Sequence, residues 1–341
     1  MTSDFTGSVV AGQFEASKRI GKGHFGSVYL CKNKILGYNS AVKIIPISGK
    51  NKDSAAIEAK LLAISQHGHI VNVRSASFWD DGIGNNYFII EMEYVDGGSL
   101  EDAIKLNVSI GDVLSTIKNV LFAIAHVHSD VVHRDIKPAN ILMGGGGKLT
   151  DFGIAMAVST GDMASGLNYN FNLAPECYAP RYLFDAKTDV FAAGLTLFRA
   201  MSLIRDWRSQ VRGVSNWQAK MVSGGLIKKI GYHPRVPDKI RKIINRACNP
   251  DPIKRYASAL DFRDALEAVR LIRDWKYINP STWACEYDGA EEVIAISVLK
   301  NAFEVTYTRS GRKKAIYTRR FGSFRDAENY LYSIISNTSV V

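Results

Sequence analysis

Three stretches of this 341-residue chain place residue types able to handle phosphate at tight spacing. In Gly21-Lys22-Gly23-His24-Phe25-Gly26-Ser27-Val28, glycines lacking a Cβ let the backbone approach anionic oxygens and offer amide hydrogens to them. A glycine-rich hairpin is also a common structural element, so this motif alone decides little. Lys43, in Ala41-Val42-Lys43, is followed fifteen residues on by Glu58. A lysine on a strand is usually a solvated edge charge, whereas one held by a helical carboxylate would be fixed against phosphate groups. The decisive stretch is His133-Arg134-Asp135-Ile136-Lys137-Pro138-Ala139-Asn140, because H-R-D-x-x-x-x-N has only roughly a 0.2% chance of arising anywhere in a random chain of this length. Eleven residues later comes Asp151-Phe152-Gly153, and then Ala174-Pro175-Glu176.

The elements that must position these residues change character along the chain. From Phe14 to about Val95, short β-branched and aromatic runs (SVYLC, AVKIIPI, NYFIIEMEYV) read as strands. They are interrupted by one helix at about Ser54 to Ser65, with Ile57, Leu61, Leu62 and Ile64 on one face and Glu58 near its edge. After Gly97-Gly98, helical spacing governs Asp112 to His128, Asp189 to Leu203 and Ala257 to Ile272. The glycines at 144–147 suit a tight turn between two short strands. Beyond Trp275 the pattern returns to strands (VIAISVL, FEVTYT, AIYTRRF), with a turn at Ser310-Gly311. Ser323 and Asp326 form a capping-box pattern opening a last helix whose Phe324, Ala327, Tyr330, Leu331 and Ile334 share a face. The expected organisation is an extension at 1–13, a β-rich lobe at 14–95, a helical lobe at 96–272 and a small β-β-β-α domain at 276–341.

In this order the motifs resemble the eukaryotic-like (Hanks-type) serine/threonine protein kinase superfamily over about residues 14–272. The resemblance implies an α+β, bilobal fold with a five-stranded first lobe, ATP and Mg2+ as nucleotide and metal, and transfer of the γ-phosphoryl group to serine or threonine hydroxyls of protein substrates. Matched by position, Gly21, Gly23 and Gly26 would cover the phosphates, and Lys43 held by Glu58 would contact them. Asp151 and Asn140 would hold magnesium, Asp135 would orient the acceptor hydroxyl and take its proton, and Lys137 would neutralise the transferred group. Val28, Ala41 and Leu142 would wall the adenine, with Met92, Glu93, Tyr94 and Val95 as the hinge beside it. Glu176 with Arg255 resembles the family's buried ion pair, Asp189 its brace for the catalytic loop, and Leu62, His133 and Phe152 part of its apolar stack between lobes. The stretch Asn168 to Leu173 departs from the family's glycine-threonine pattern, with Tyr169 where a threonine is usual. That leaves two alternatives standing: a kinase with a non-protein acceptor, and a nucleotide-binding pseudokinase scaffold, the latter disfavoured by the complete set of motif residues. Arg134 beside Asp135 points to control by phosphorylation of Ser159, Thr160 or Ser165, including autophosphorylation.

Composition bounds the rest. The four cysteines lie far apart without a C-x-x-C pair, which excludes a zinc ribbon or a disulfide framework and suggests a reducing, cytoplasmic setting without a membrane role. The first residues lack the basic and apolar runs of a leader, and the longest apolar stretch, Val190 to Ile204, is broken by Arg199. The net charge of +10 fits either acidic partners or a solvated basic surface. Arg309, Arg312, Lys313, Lys314, Arg319 and Arg320, interleaved with Tyr307, Tyr317 and Phe321, could grip nucleic acid or another acidic partner, against the plainer reading of a half-exposed hairpin. His67 and His69 read as a structural loop rather than as metal ligands.

Overall fold

The computed structural model describes residues 4–22, 26–47, 60, 65–129, 131–152, 156–157, 171–179 and 184–341. Gly23, Glu58, Leu62, Gly153, Ser159, Thr160, Ser165 and Tyr169, with nearly all of the helix expected at 54–65, lie outside the described residues.

The first lobe is an antiparallel sheet of β1 (Val9–Val10), β2 (Phe14–Lys22), β3 (Ser27–Asn33), β4 (Asn39–Pro46), β5 (Val73–Asp80) and β6 (Asn86–Glu93), in the order β1-β2-β3-β4-β6-β5. Side chains alternate between its faces. Val42, Ile44, Tyr87 and Ile89 join Tyr29 and Phe14 in one apolar cluster, while Ala41, Ile45, Phe88, Ile90 and Met92 face the main core. The segment expected to be an extension instead supplies an edge strand, with Val10 opposite Phe14. Phe5 covers the outer cluster with edge contacts to Tyr29, Trp79 and Tyr87 at 6.0, 5.8 and 5.3 Å. Six strands therefore stand where five were expected, because that outer face needs an apolar cover.

The helical lobe is built on α1 (Leu100–Lys105), α2 (Ile110–Val127) and α3 (Ala186–Met201), N-capped by Ser99, Ser109 and Asp185. Between α2 and α3 run the short strands β7 (Val131–Val132), β8 (Ile141–Leu142), β9 (Lys148–Leu149) and β10 (Met156–Ala157). Gly145, Gly146 and Gly147 all take positive φ in the turn from β8 to β9. Then follow α4 (Trp207–Arg212), α5 (Trp217–Val222), α6 (Leu226–Ile230), α7 (Asp238–Ala247) and α8 (Ala259–Glu267). Helix α3 is buried almost all round. At Gly194 a Cβ would meet that of Ala247 at 2.6 Å, so glycine lets α3 and α7 close on each other. Among the described residues, α2 is the one helix long and apolar enough to cross a membrane, and more than half of it is buried inside the protein.

The last part is a sheet of β11 (Lys276–Asn279), β12 (Thr282–Tyr287), β13 (Ala290–Val298), β14 (Phe303–Arg309), β15 (Arg312–Lys313) and β16 (Arg319–Phe321), crossed by α9 (Phe324–Ser339). Strands β11 and β12 were not expected, so the domain is not β-β-β-α. Their signal was Asp288-Gly289, both at positive φ, which closes the β12–β13 hairpin just as Ser310-Gly311 closes β14–β15. The expected strand AIYTRRF is broken by a 3-10 turn at Ala315–Tyr317, which lays Tyr317 against Tyr307 at 5.0 Å. Helix α8 stops at Glu267 instead of near Ile272, because Leu271 pairs with Val340 and the Ile272 N–H donates to the Ser339 carbonyl at 2.7 Å. Trp283, Ile294, Val305, Leu331 and Ile334 then continue the helical lobe's core without a break.

Candidate active site

Strand register alone sets out half of the site. Gly21 pairs with Val28 and Val28 with Lys43, while Ala41 pairs with Met92. Directly paired residues share a face, and so do i and i+2, so Gly21, Val28, Ala41, Lys43 and Met92 lie on the one face that Ala41 and Met92 turn toward the main core. Val28, Val95 and Leu142 are half-buried apolar residues on the rim of that core. Gly26 has a second constraint: a Cβ there would strike the backbone carbonyl of Ile44. Glu93 is fixed by Lys148 at 2.6 Å, and its side chain accepts from the Asn72 N–H at 2.9 Å.

Lys43, only 4% exposed, reaches across to Asp151, Nζ to Oδ1 at 3.1 Å. Burial opposes the charge on Asp151, but the ammonium groups of Lys43 and Lys137 outweigh it and hold the carboxyl below its ordinary value. Asp151 sits at φ 64° and Arg134 at φ 70°, left-handed conformations that persist at non-glycine residues only where the surroundings impose them.

For the loop that carries Asp135, the surroundings are visible. Buried Asp189 accepts from the backbone N–H groups of His133 and Arg134 at 2.8 and 2.9 Å and meets His128 at 3.0 Å. Burial works against its charge, yet these donors keep its carboxyl below the usual range. His133 accepts from the Asp135 N–H through Nδ1 at 3.3 Å, so its Nε2 donates to the Thr150 carbonyl, also at 3.3 Å. Burial lowers its pKa, and its ring packs on Phe152 at 4.6 Å. The imidazole is thus neutral and structural. Thr196 of α3 donates to the Ile136 carbonyl at 3.3 Å, fixing the loop from below.

On this support the Asp135 carboxylate is oriented by Lys137, Nζ to Oδ2 at 2.6 Å, and by the Asn140 amide nitrogen at 3.0 Å. That nitrogen also donates to the Asp135 carbonyl at 2.9 Å. Oδ1 of Asp135 is buried and has no hydrogen-bond partner among the described residues. Arg255 grips Glu176 through both guanidinium nitrogens at 2.6 Å, anchoring Ala174-Pro175-Glu176 to the helical lobe. The structure therefore brings Lys43, Asp135, Lys137, Asn140 and Asp151 together; Glu58 and Gly23 are outside the described residues.

The basic hairpin of the last domain has a different environment from the one its sequence suggests. Lys313 and Arg320 both pair with Glu304, at 2.8 and 2.9 Å, and Arg309 pairs with Asp288 at 3.1 Å. Tyr307 is 4% exposed, so its ring is not available for stacking on bases, and half-buried Tyr317 packs on it. Among the described residues no group of three His, Cys, Asp or Glu side chains could hold a metal by itself, His67 and His69 included.

A sequence profile of the protein kinase domain matches residues 14–268. Serine/threonine-protein kinase PrkC of Bacillus subtilis is 33% identical over 335 residues, covering 92% of this chain and 48% of its own. Serine/threonine-protein kinase PknJ of Mycobacterium tuberculosis is 30% identical over 293 residues (77% of this chain, 46% of its own). Calcium-dependent protein kinase 4 of Plasmodium berghei is 29% identical over 287 residues (78% and 51%). The chain spans about half the length of these curated relatives. With the profile running from the first long strand to the end of α8, and the β-rich and helical lobes in the expected order, this chain belongs to the protein kinase family.

Proposed function

We propose that this chain transfers the γ-phosphoryl group of ATP to serine or threonine hydroxyls of protein substrates. The observation that carries the proposal is the Asp135 carboxylate, with Oδ2 fixed by Lys137 and Asn140 and Oδ1 buried without a donor. An acceptor hydroxyl would supply that missing donor, and the same oxygen would take its proton as the hydroxyl oxygen attacks. Lys137, 2.6 Å from the carboxylate, would meet negative charge on the incoming phosphoryl group. Lys43 would turn from Asp151 to the phosphates, and the Gly21 backbone would cover them. Val28, Ala41, Met92, Val95 and Leu142 would enclose the adenine, with the backbone at Glu93 and Val95 reading its edge.

The donor set fits magnesium. The nitrogen of Asn140 is committed twice to Asp135, which leaves its amide oxygen, with the ionised Asp151 carboxylate, as hard donors suited to a cation that completes its shell with phosphate oxygens and water. Magnesium bound there would neutralise charge between the β- and γ-phosphates. All four cysteines are free buried thiols, which supports a reducing, cytoplasmic setting for the catalytic unit.

The acceptor is tested by incubating the protein with labelled ATP, Mg2+ and a mixture of general protein acceptors, then hydrolysing the product to amino acids. Label in phosphoserine or phosphothreonine is expected. Label in phosphotyrosine alone, or in RNA or small molecules but not in protein, would overturn the reading. Peptide mapping of the protein's own label over residues 154–172 tests autophosphorylation at Ser159, Thr160 or Ser165.

A further inference from the structure

The positive charge of this protein is unevenly distributed. Between Asp189 and Asp238 the sequence holds eight lysines and arginines against one acid, Asp206. Asp206 is engaged as the N-cap of α4, accepting from the Ser209 N–H at 2.9 Å. Two of the eight cations are internal: Arg235 donates to the carbonyls of Val108, Ala200 and Met201, and Arg199 pairs with Glu101 at 2.7 Å. The other six, Arg205, Arg208, Arg212, Lys220, Lys228 and Lys229, lie at or near the surface of α4 to α6. None of them forms an ion pair with a described residue. This is unlike the basic hairpin of the last domain, where Glu304 and Asp288 answer half of the cations.

The same surface is joined to the segment that leads into Ala174-Pro175-Glu176. The Phe171 carbonyl accepts from the Trp207 indole at 3.2 Å, and the Phe171 ring lies 4.8 Å from Trp217. Arg208 and Arg212, one turn apart on α4, each place a guanidinium 5.8 Å from the centroid of that ring. A second route leads back to the catalytic loop. Thr196 bonds the carbonyl next to Asp135, and Arg199, one turn further along α3, lies 5.5 Å from the Trp207 ring. These steps connect Arg208 and Arg212 to the catalytic loop through Trp207, Arg199 and Thr196.

We propose that α4 to α6, centred on Arg208 and Arg212, is the docking surface for an acidic segment of the protein substrate, carried on the same chain as the acceptor hydroxyl. The inference rests on the protein kinase reading and names the substrate class it serves. Charge complementarity selects the occupant: guanidinium groups match carboxylates in the plane, and cations without acidic neighbours repel basic segments. Phe171 and Trp207 are 8% and 5% exposed, and half-buried Trp217 is packed against Phe171 and Tyr178, so the patch offers no row of open rings of the kind single-stranded nucleic acid stacks on.

The test uses the full chain, Mg2+ and ATP with three peptides sharing one central serine and threonine, flanked at three to five residues on either side by Glu, Gln or Lys. The Glu peptide should show a KM about fivefold below that of the Gln peptide with similar kcat, from two exposed charge contacts. The difference should vanish near 0.5 M salt. In R208E/R212E, and independently in K228E/K229E on α6, the order should shift toward the Lys peptide while the Gln peptide is turned over within about twofold of wild type. Equal KM values for the three peptides, or an acidic preference unchanged in both double variants, would overturn the proposal and leave the kinase reading intact. No turnover of any peptide would count against the kinase reading instead. Fluorescence anisotropy of the labelled Glu peptide then still decides the surface: binding that both variants lose upholds it, and binding they retain overturns it. Displacement of that peptide by single-stranded RNA at lower concentration than by an acidic peptide would reassign the patch to nucleic acid.

Discussion

Lys43 and the loop that carries Asp135 are held by residues remote in sequence, Asp151 and Asp189. Asp189 joins the backbone at His133 and Arg134 to the buried helix α3, and its lowered pKa ties this support to pH. A carboxyl whose folded pKa lies below its unfolded value adds stability that is present above about pH 4 and lost as pH falls through the folded value. Replacing Asp189 by Asn leaves one of these N–H groups with a neutral acceptor and the other with none. Urea unfolding at pH 7 should show a loss of about 3 kcal/mol, and that loss should shrink in acid. Because the two N–H groups adjoin Asp135, kcat should fall with it while ATP affinity changes little. A variant as stable as the parent at pH 7 would show that the brace is not an energetic one.

The elements were legible in the sequence to the extent that their signals were local. The contiguous motif from His133 to Asn140 named the catalytic loop, and Ser323 with Asp326 named the cap of α9, where Ser323 accepts the Asp326 N–H at 3.1 Å. Glu176 with Arg255 and Asp189 with the loop were reachable only through the family resemblance, because nothing in the local sequence relates residues so far apart. Strands β11 and β12 are short, four and six residues, and their local signal is confined to the Asp288-Gly289 turn, whose two residues both take positive φ. The hairpin's acidic neighbours were invisible because Glu304 and Asp288 come from adjacent strands. The same remoteness hides the cap on α2. Asp274 accepts from the Gly111 N–H at 2.8 Å and from Ser109 at 3.0 Å, and Lys276 ties Asp274 to Asp112. A Cβ on Gly111 would sit 2.6 Å from that carboxylate. Substituting Asp274 by Ala should therefore cost about 1–2 kcal/mol in chemical denaturation. Gly111→Ala should cost at least as much despite its better helix propensity, and a stabilising effect of Gly111→Ala would contradict the contact.

At the scale of the molecule, the last domain is continuous with the helical lobe, so cutting the chain near residue 274 would take Trp275 and Trp283 out of the shared core and uncover His233 of the helical lobe. The seam has its own pH response. His233 packs on Tyr332 of α9 at 4.4 Å, and burial with nearby Arg235 lowers its pKa to about 4. The unfolded chain binds this proton below about pH 6.5 and the folded chain does not, so stability should decline as pH falls from about 6.5 to 4, by on the order of 2–3 kcal/mol. His233→Gln should flatten that part of the pH–stability curve. An unchanged slope between pH 6.5 and 4 would place the titration elsewhere.

If Asp135 and Asp151 act in one phosphoryl-transfer site, both are needed for transfer of labelled γ-phosphate from ATP with Mg2+, measured with the wild type, Asp135→Ala and Asp151→Ala. Labelled phosphoserine or phosphothreonine is expected with the wild type, and a loss of at least about 10³-fold in both variants, with their folding intact by circular dichroism. Transfer that survives either substitution at near wild-type rate, or a wild type that binds ATP and labels no acceptor, would contradict a single phosphoryl-transfer site.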